Sequence, residues 1–481
     1  MKNKVFTGFF WKFNEQISSQ LVTFIISIIL ARLLTPKDYG IVALINVFIS
    51  IADVFVTSGF GAALIQKKDA DDTDFSTIFI ISELFSIVVY IVIYLMAPSI
   101  ANFYNNNDLT LIVRIFALKL PLSAFNAIQQ AYVSKKMLFK KIFISTTASA
   151  IISGCIGIVL AYMGFGIWAL IMQYILNTVI VSVALFVQLD WHPEWKFSWS
   201  SGKPLLNYGW KVLMTSILGA FFNQLRTLLL GKAYTPAELA YYNRGQKFPE
   251  LLSQNIDGTI STVLFPAMSA YNDDLEKIKL LVRKSIKVST FIIMPLMFGM
   301  AATAKPIILI LLTDKWIESV PYMQYLCIAG AFGTISNTNM QAISAIGRSD
   351  ILLNLELIKK PIYLLLLVVG LKISVLAVAY TMTIYSVCSA LLNMSPNRKL
   401  LSYKFKEQVE DILPALILSI TMFVIVELIT LIKLPIFVMF VAQIFVGVVI
   451  YTLLALIFKL EACMYILEII KSSKKKYRKY E

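Results

Sequence analysis

Polar side chains recur at helical spacing inside stretches that are otherwise apolar. Lys12, Gln16, Gln20, Thr23 and Ser27 follow at intervals of four and three, which puts them on one side of a 3.6-residue helix. Asn46, Ser50, Asp53 and Thr57 keep the same rhythm, and a shift of about 200 residues lands on Gln246, Glu250, Ser253 and Asp257, beside Gln254. A further stripe holds Thr215, Gly219, Asn223 and Arg226, with Lys211 at its end. Two chemistries are open to such stripes. Hydroxyls and amides join helices through hydrogen bonds worth about 1 kcal/mol each, and lysines near helix ends snorkel outward. That covers Gln16, Thr23 or Asn46. It covers Asp53, Asp257 and Arg226 less well, because an ionised group deep in a span costs about 2.5–3.5 kcal/mol or more and therefore faces water, a partner or a substrate path. Arg32, Arg244 and Lys247 lie near helix ends, where anchoring and function weigh equally. Glu356 has Lys360 at i+4 and Lys359 beside it, which reads as an internal ion pair. Glu83 and Glu427 have no partner recognisable in the sequence.

The elements that must carry these residues are membrane helices. Hydrophobic residues make up 58% of the 481 and charged residues only 15%, with a mean hydropathy of +0.76. Apolar stretches of about 20 residues recur along almost the whole chain, which demands an all-α polytopic membrane protein. The net charge of +15 sits in the connections between apolar segments, as topology signals and anionic head groups require, and not on a basic soluble domain that nucleic acid would need. Cys155, Cys327, Cys388 and Cys463 are scattered singly, and His192 is the one histidine. No metal centre or histidine relay is expected from them. The first apolar segment is long enough to stay in the membrane, so no cleaved leader is expected.

About fourteen spans are predicted. Six fall near 10–33, 41–64, 75–98, 110–133, 142–162 and 166–188, making an N-lobe of residues 1–188. A Trp-rich connector, 189–204, carries Trp191, Trp195 and Trp199 and reads as an interfacial segment. Six more, near 205–230, 247–270, 284–303, 319–345, 353–372 and 374–394, make a C-lobe of 205–395. The short apolar run after Lys305-Pro306 is too short to cross. Two additional helices lie within 411–458, and 459–481 is a basic tail. With the N-terminus inside, the inner loops and termini hold about 26 Lys and Arg against about 8 outside, so both termini are expected in the cytoplasm. The two lobes look like copies: Trp11-Lys12 to Thr35-Pro36 matches Trp210-Lys211 to Thr235-Pro236, and Gln130-Ala131 matches Gln341-Ala342. Six helices per copy make the repeats parallel, with a central cavity expected between them.

The run Ala31-Arg32-Leu33-Leu34-Thr35-Pro36-Lys37-Asp38-Tyr39-Gly40, followed by Ser58-Gly59-Phe60-Gly61-Ala62-Ala63-Leu64-Ile65-Gln66, resembles the opening of bacterial polysaccharide exporters. So does Tyr241-Tyr242-Asn243-Arg244-Gly245-Gln246-Lys247-Phe248-Pro249-Glu250, with Val263-Leu264-Phe265-Pro266-Ala267-Met268-Ser269 after it. These stretches are similar to Wzx-type lipid-linked oligosaccharide flippases of the multidrug/oligosaccharidyl-lipid/polysaccharide (MOP) superfamily. The resemblance implies a non-enzymatic transporter of the bacterial inner membrane. It would move an undecaprenyl-diphosphate-linked oligosaccharide from the cytoplasmic to the periplasmic leaflet by alternating access, for O-antigen, capsule or exopolysaccharide synthesis. It also implies a polysaccharide polymerase and other assembly proteins as partners, and a wall or groove for the lipid tail in the two extra helices. Lys12, Lys211, Arg226, Arg32, Arg244 and Lys247 are then candidates for the anionic head group. Gln16, Gln20, Asn46, Asn223 and Gln254 are candidates for sugar contacts.

One departure bears on coupling. Where relatives carry an acidic residue after the Asn of the seventh helix, this chain reads Asn223-Gln224-Leu225-Arg226, so Arg226 is assigned to anion binding. There is no Gly-rich loop ending in Lys-Ser/Thr, so no cofactor is expected. Asp53, Glu250, Asp257 and Glu356 are the candidates for coupling to a proton or Na⁺ gradient or to membrane potential. An ion-coupled small-molecule or drug antiporter is the alternative. A membrane polysaccharide polymerase ranks below it, since no long catalytic loop is visible.

Overall fold

The computed structural model describes residues 2–271 and 274–468, with backbone alone for residues 2–6 and 9; most of the predicted tail, from 469 onward, lies outside the described residues. Every regular element among the described residues is a helix. By packing, the chain divides into two units, Met1–Ala240 and Tyr241–Glu481.

The first unit contains α1 (Lys2–Leu33), α2 (Pro36–Thr57), α3 (Phe60–Gln66), α4 (Asp72–Phe103), α5 (Leu109–Phe116), α6 (Lys119–Lys136), α7 (Phe139–Tyr162), α8 (Ile167–Gln188) and α9 (Trp199–Ala233). The unit boundary falls inside α10 (Pro236–Ser269). The second unit continues with α11 (Leu275–Ala302), α12 (Ala304–Leu311), α13 (Ser319–Ala345), α14 (Ser349–Leu371), α15 (Val375–Met394), α16 (Asn397–Leu400), α17 (Phe405–Leu428) and α18 (Ile436–Ile457).

Among the described residues eleven helices, counting α2 with α3 and α5 with α6, are long and apolar enough to cross a membrane. The three other expected spans fall on α10, α13 and α14, helical over 34, 27 and 23 residues but too polar to qualify by composition. The chain is a multi-pass helical membrane protein. Large apolar side chains such as Leu84, Val88, Ile91 and Leu95 of α4 or Phe437, Phe445 and Val448 of α18 are exposed, as a lipid-facing surface requires.

Two expected single spans are broken. The run 41–64 parts at Ser58-Gly59, where Gly59 adopts φ +96°, and a Cβ there would sit 2.3 Å from the Gly209 carbonyl of α9. Only glycine permits both the turn and the approach. The run 110–133 parts between Phe116 and Lys119 because Pro121 has no N–H for the Ala117 carbonyl and starts a new helix. The Thr-Pro turns found twice in the sequence are both capping boxes. Thr35 caps α2, its Oγ1 and backbone N–H donating to Asp38 at 2.6 and 3.0 Å; Thr235 does the same with Glu238 at 2.7 and 2.9 Å. In the connector, Trp191 stacks on Tyr132, while Trp195 is 93% exposed.

Candidate functional site

Each unit holds a half-buried acidic residue in a setting of amides and hydroxyls. In the first, α2 supplies Asp53 and Thr57 and α6 supplies Lys119, Ser123, Asn126 and Gln130. Helical spacing of three and four turns both sets the same way. All of them but Lys119 line a cavity of about 530 Å³, which α7 and α8 complete with Thr146, Asn177 and Thr178. Lys119 Nζ stands 4.0 Å from Asp53 Oδ1, the two side chains about a quarter exposed. Gln130 donates to Asn126 Oδ1 at 2.7 Å, and Asn177 donates to Ser149 and Ser153 at 3.4 and 3.3 Å. Asp53 Oδ1 is buried and accepts no hydrogen bond, leaving the lysine as its compensation.

In the second unit α10 supplies Asp257 and Ser261 and α13 supplies Thr334, Asn337 and Gln341. Asn337 Nδ2 donates to the Asp257 carbonyl at 3.4 Å and to Ser261 Oγ at 3.3 Å. Gln341 Nε2 donates to Ser261 Oγ at 2.9 Å. Thr334 and Asn337 lie beside the Asp257 carboxyl, and both Asp257 Oδ1 and Thr334 Oγ1 are buried without a hydrogen bond. Among the described residues no lysine or arginine lies within ion-pair distance of Asp257.

The two clusters share one plan. Asn126 and Gln130 correspond to Asn337 and Gln341, each pair an Asn-x-x-x-Gln-Ala run, and Ser123 corresponds to Thr334. On the α2 and α10 side, the shift of about 200 residues pairs Asp53 with Ser253 and Thr57 with Asp257. The acid has therefore moved one turn along the helix. The position of Lys119 is taken by Gly330, and a Cβ there would meet Ser253 Oγ at 3.1 Å. The structural partner of the Asp53–Lys119 pair is thus the uncharged contact Ser253–Gly330.

The other predicted site residues are placed as follows. Lys12 is engaged on its own helix by Glu15 at 2.7 Å. Gln16, Arg32, Asn46, Lys211, Asn223, Lys247 and Gln254 are exposed, and Gln20 and Arg226 are half-buried. Arg244 is buried, its guanidinium 5.0 Å from the centre of the Trp316 ring. Glu250 accepts from Gln254 at 2.9 Å. Glu356 is held by two cations, Lys359 at 2.5 Å and Lys360 at 3.5 Å, so the nearer partner is at i+3. Glu83 does have a local partner, Ser86 Oγ, at 3.1 Å. Nothing in the structure explains Glu427.

Asp53 and Asp257 stand out in the sequence; Lys119, Ser261, Thr334, Asn337, Asn126 and Asn177, which the structure brings beside them, do not. A signal for the asparagines existed. Stepping back one turn from the matched Gln130-Ala131 and Gln341-Ala342 reaches Asn126 and Asn337 on the same helix faces.

A family model described as "Polysaccharide biosynthesis protein" matches residues 29–321. Among curated proteins, the chain is 23% identical over 344 residues to the lipopolysaccharide biosynthesis protein WzxC of Escherichia coli, covering 71% of this chain and 70% of that one. It is 23% identical over 364 residues to the teichuronic acid biosynthesis protein TuaB of Bacillus subtilis, covering 74% and 73%. Among solved structures, the lipid II flippase MurJ in an inward closed conformation superposes with a TM-score of 0.77 at 16% identity, over 94% of this chain and 98% of that one. An inward-facing multidrug resistance MATE family transporter of the MOP superfamily gives 0.62 at 13% identity, over 81% and 98%. The fold is theirs.

Proposed function

We propose, from the premise that the chain belongs to the polysaccharide biosynthesis protein family, that it is a transporter flipping a lipid-linked oligosaccharide across the bacterial inner membrane. The direction is from the cytoplasmic to the periplasmic leaflet, with both termini in the cytoplasm and an undecaprenyl diphosphate as the carrier. The observation that carries this reading is the combination of that family match with a fold shared with a lipid II flippase over nearly the whole chain. The residues support it. A sugar carried through a membrane needs donors and acceptors in place of water, and Asn126, Gln130, Thr146, Asn177 and Thr178 line a polar cavity within a span region. The exposed Lys211 and the half-buried Arg226 of α9 offer positive charge to a diphosphate.

Coupling falls to Asp257 in this account. Asp53 has Lys119 and Glu356 has two lysines, so their negative charge is balanced inside the protein. A carboxylate without a cation in low dielectric is stabilised by a proton or a monovalent cation, and Asp257 is in that position. The MATE-like fold favours a second reading, an ion-coupled small-molecule antiporter. Purified chain in proteoliposomes loaded with a labelled lipid-linked oligosaccharide separates them. The flippase reading expects protein-dependent exposure of the label on the far leaflet. Failure to flip, together with gradient-driven uptake of organic cations, would establish the antiporter instead.

A further inference from the structure

Beyond Lys277, which pairs with Asp274 at 3.0 Å, the opening turns of α11 carry Lys279, Arg283, Lys284 and Lys287. A 28-residue helix is about 42 Å long against about 30 Å of hydrocarbon, so about two turns extend past the hydrocarbon and the long basic side chains just below them snorkel to head-group level. Three carboxylates answer the four cations. Glu407 accepts from Lys279 at 3.2 Å. Asp411 is committed to Arg283, which donates to both its oxygens at 2.7 and 2.9 Å, and Tyr403 donates to it at 2.6 Å. Burial first, and the Asp411 carboxylate second, push the Tyr403 phenol far above its ordinary range, so it stays a donor. Lys287 is shared between Asp411 at 3.2 Å and Glu461 at 2.5 Å.

Lys284 is the cation left over. Its ammonium lies 3.6 Å from the centre of the Tyr465 ring, and among the described residues no carboxylate is within ion-pair distance of it. Between these groups is a cavity of about 480 Å³ lined by Arg283, Lys284, Lys287, Glu461 and Tyr465 on its polar side and by Leu280 and Val288 on its apolar side. Leu280 is 65% exposed amid these charges. Glu461 is the weakly held member: its side chain is 79% exposed, and among the described residues its one ion pair is with Lys287.

We propose that this cavity is a binding site for a lipid-borne phosphate group. The phosphate is held by Lys284 and Lys287, the first carbons of the lipid lie against Leu280 and Val288, and Glu461 occupies the anion's position until it is displaced. A charged phosphate supplies Lys284 with the counter-charge it lacks and replaces the exposed carboxylate at Lys287. Basic pockets between membrane helices at head-group level are suited to such groups. The site involves neither acid–amide cluster and stands whether or not the chain flips oligosaccharides.

The test uses the full chain in detergent micelles, with native mass spectrometry counting retained lipid. The probes are phosphatidylglycerol, undecaprenyl diphosphate, phosphatidylcholine and inorganic phosphate. One copy of phosphatidylglycerol or of undecaprenyl diphosphate should be retained over phosphatidylcholine, and the preferred one identifies the source of the phosphate. Lys284→Ala should lower retention about tenfold, the loss expected for one charge-assisted hydrogen bond. Glu461→Gln, which removes the competing anion, should raise it. An increase in one variant beside a decrease in the other is not a folding defect. Equal retention across the variants, no preference over phosphatidylcholine, or full displacement by inorganic phosphate at matched concentration would overturn the proposal.

Discussion

The two acid–amide clusters are the same structure with the charge arranged differently. In the first unit Asp53 faces Lys119 and the pair sits beside a polar cavity. In the second the acid lies one turn further on, at Asp257, and a glycine, Gly330, stands where the lysine would be. The amide frame, Asn126 and Gln130 or Asn337 and Gln341, is retained in both. Duplication kept the hydrogen-bonding scaffold and let the net charge diverge. An ion pair is a fixed local dipole that needs nothing from solution, whereas a lone carboxylate in a span is stabilised by water, a proton or a cation drawn from it.

The largest effect that would sharpen this contrast is expected at Asp257. Asp257→Ala should lower oligosaccharide flipping about 100-fold if the carboxylate is needed for coupling, on the scale of about 2.7 kcal/mol at 25 °C. Equal transport in reconstituted vesicles would break the contrast. Next is Lys119→Met, which strands the Asp53 charge. The pair is partly exposed, so thermal unfolding in detergent should show a loss of about 1–2 kcal/mol, between the surface and fully buried limits. The double variant Asp53→Asn/Lys119→Met should recover most of it, and a strictly additive double would mean that the two groups do not interact. The smallest effects belong to the shared frame: Asn337→Ala and Asn126→Ala should each cost about 0.6–1 kcal/mol. A several-fold larger loss at only one of them would show that the frames are not equivalent.

The sequence made much of this visible. Apolar stretches gave the membrane class, and Thr35-Pro36 with Thr235-Pro236 gave the repeat that the two capping boxes now explain. Asp53 and Asp257 stood out because carboxylates in apolar helices are costly. What periodicity could not supply was partners far along the chain. Lys119 is 66 residues from Asp53 in sequence and sits at the start of α6, beside a helix break that no periodic pattern marks. A break set by a proline three residues into a helix, or by a Gly59 pressed against Gly209, depends on tertiary packing. Likewise α10, α13 and α14 are too polar or too charged to qualify as spans by composition, and they hold Asp257, Asn337 and Glu356. In α10 and α13 the polarity that weakened their signal as membrane helices is what the second cluster consists of.

The most direct test of the account is the rate of lipid-linked oligosaccharide flipping with and without an imposed proton or Na⁺ gradient, compared between Asp257→Asn and the Asp53→Asn/Lys119→Met double variant. The account predicts that wild type and the double variant respond to a gradient and that Asp257→Asn does not. A gradient response that survives in Asp257→Asn, or disappears only in the double variant, would contradict it.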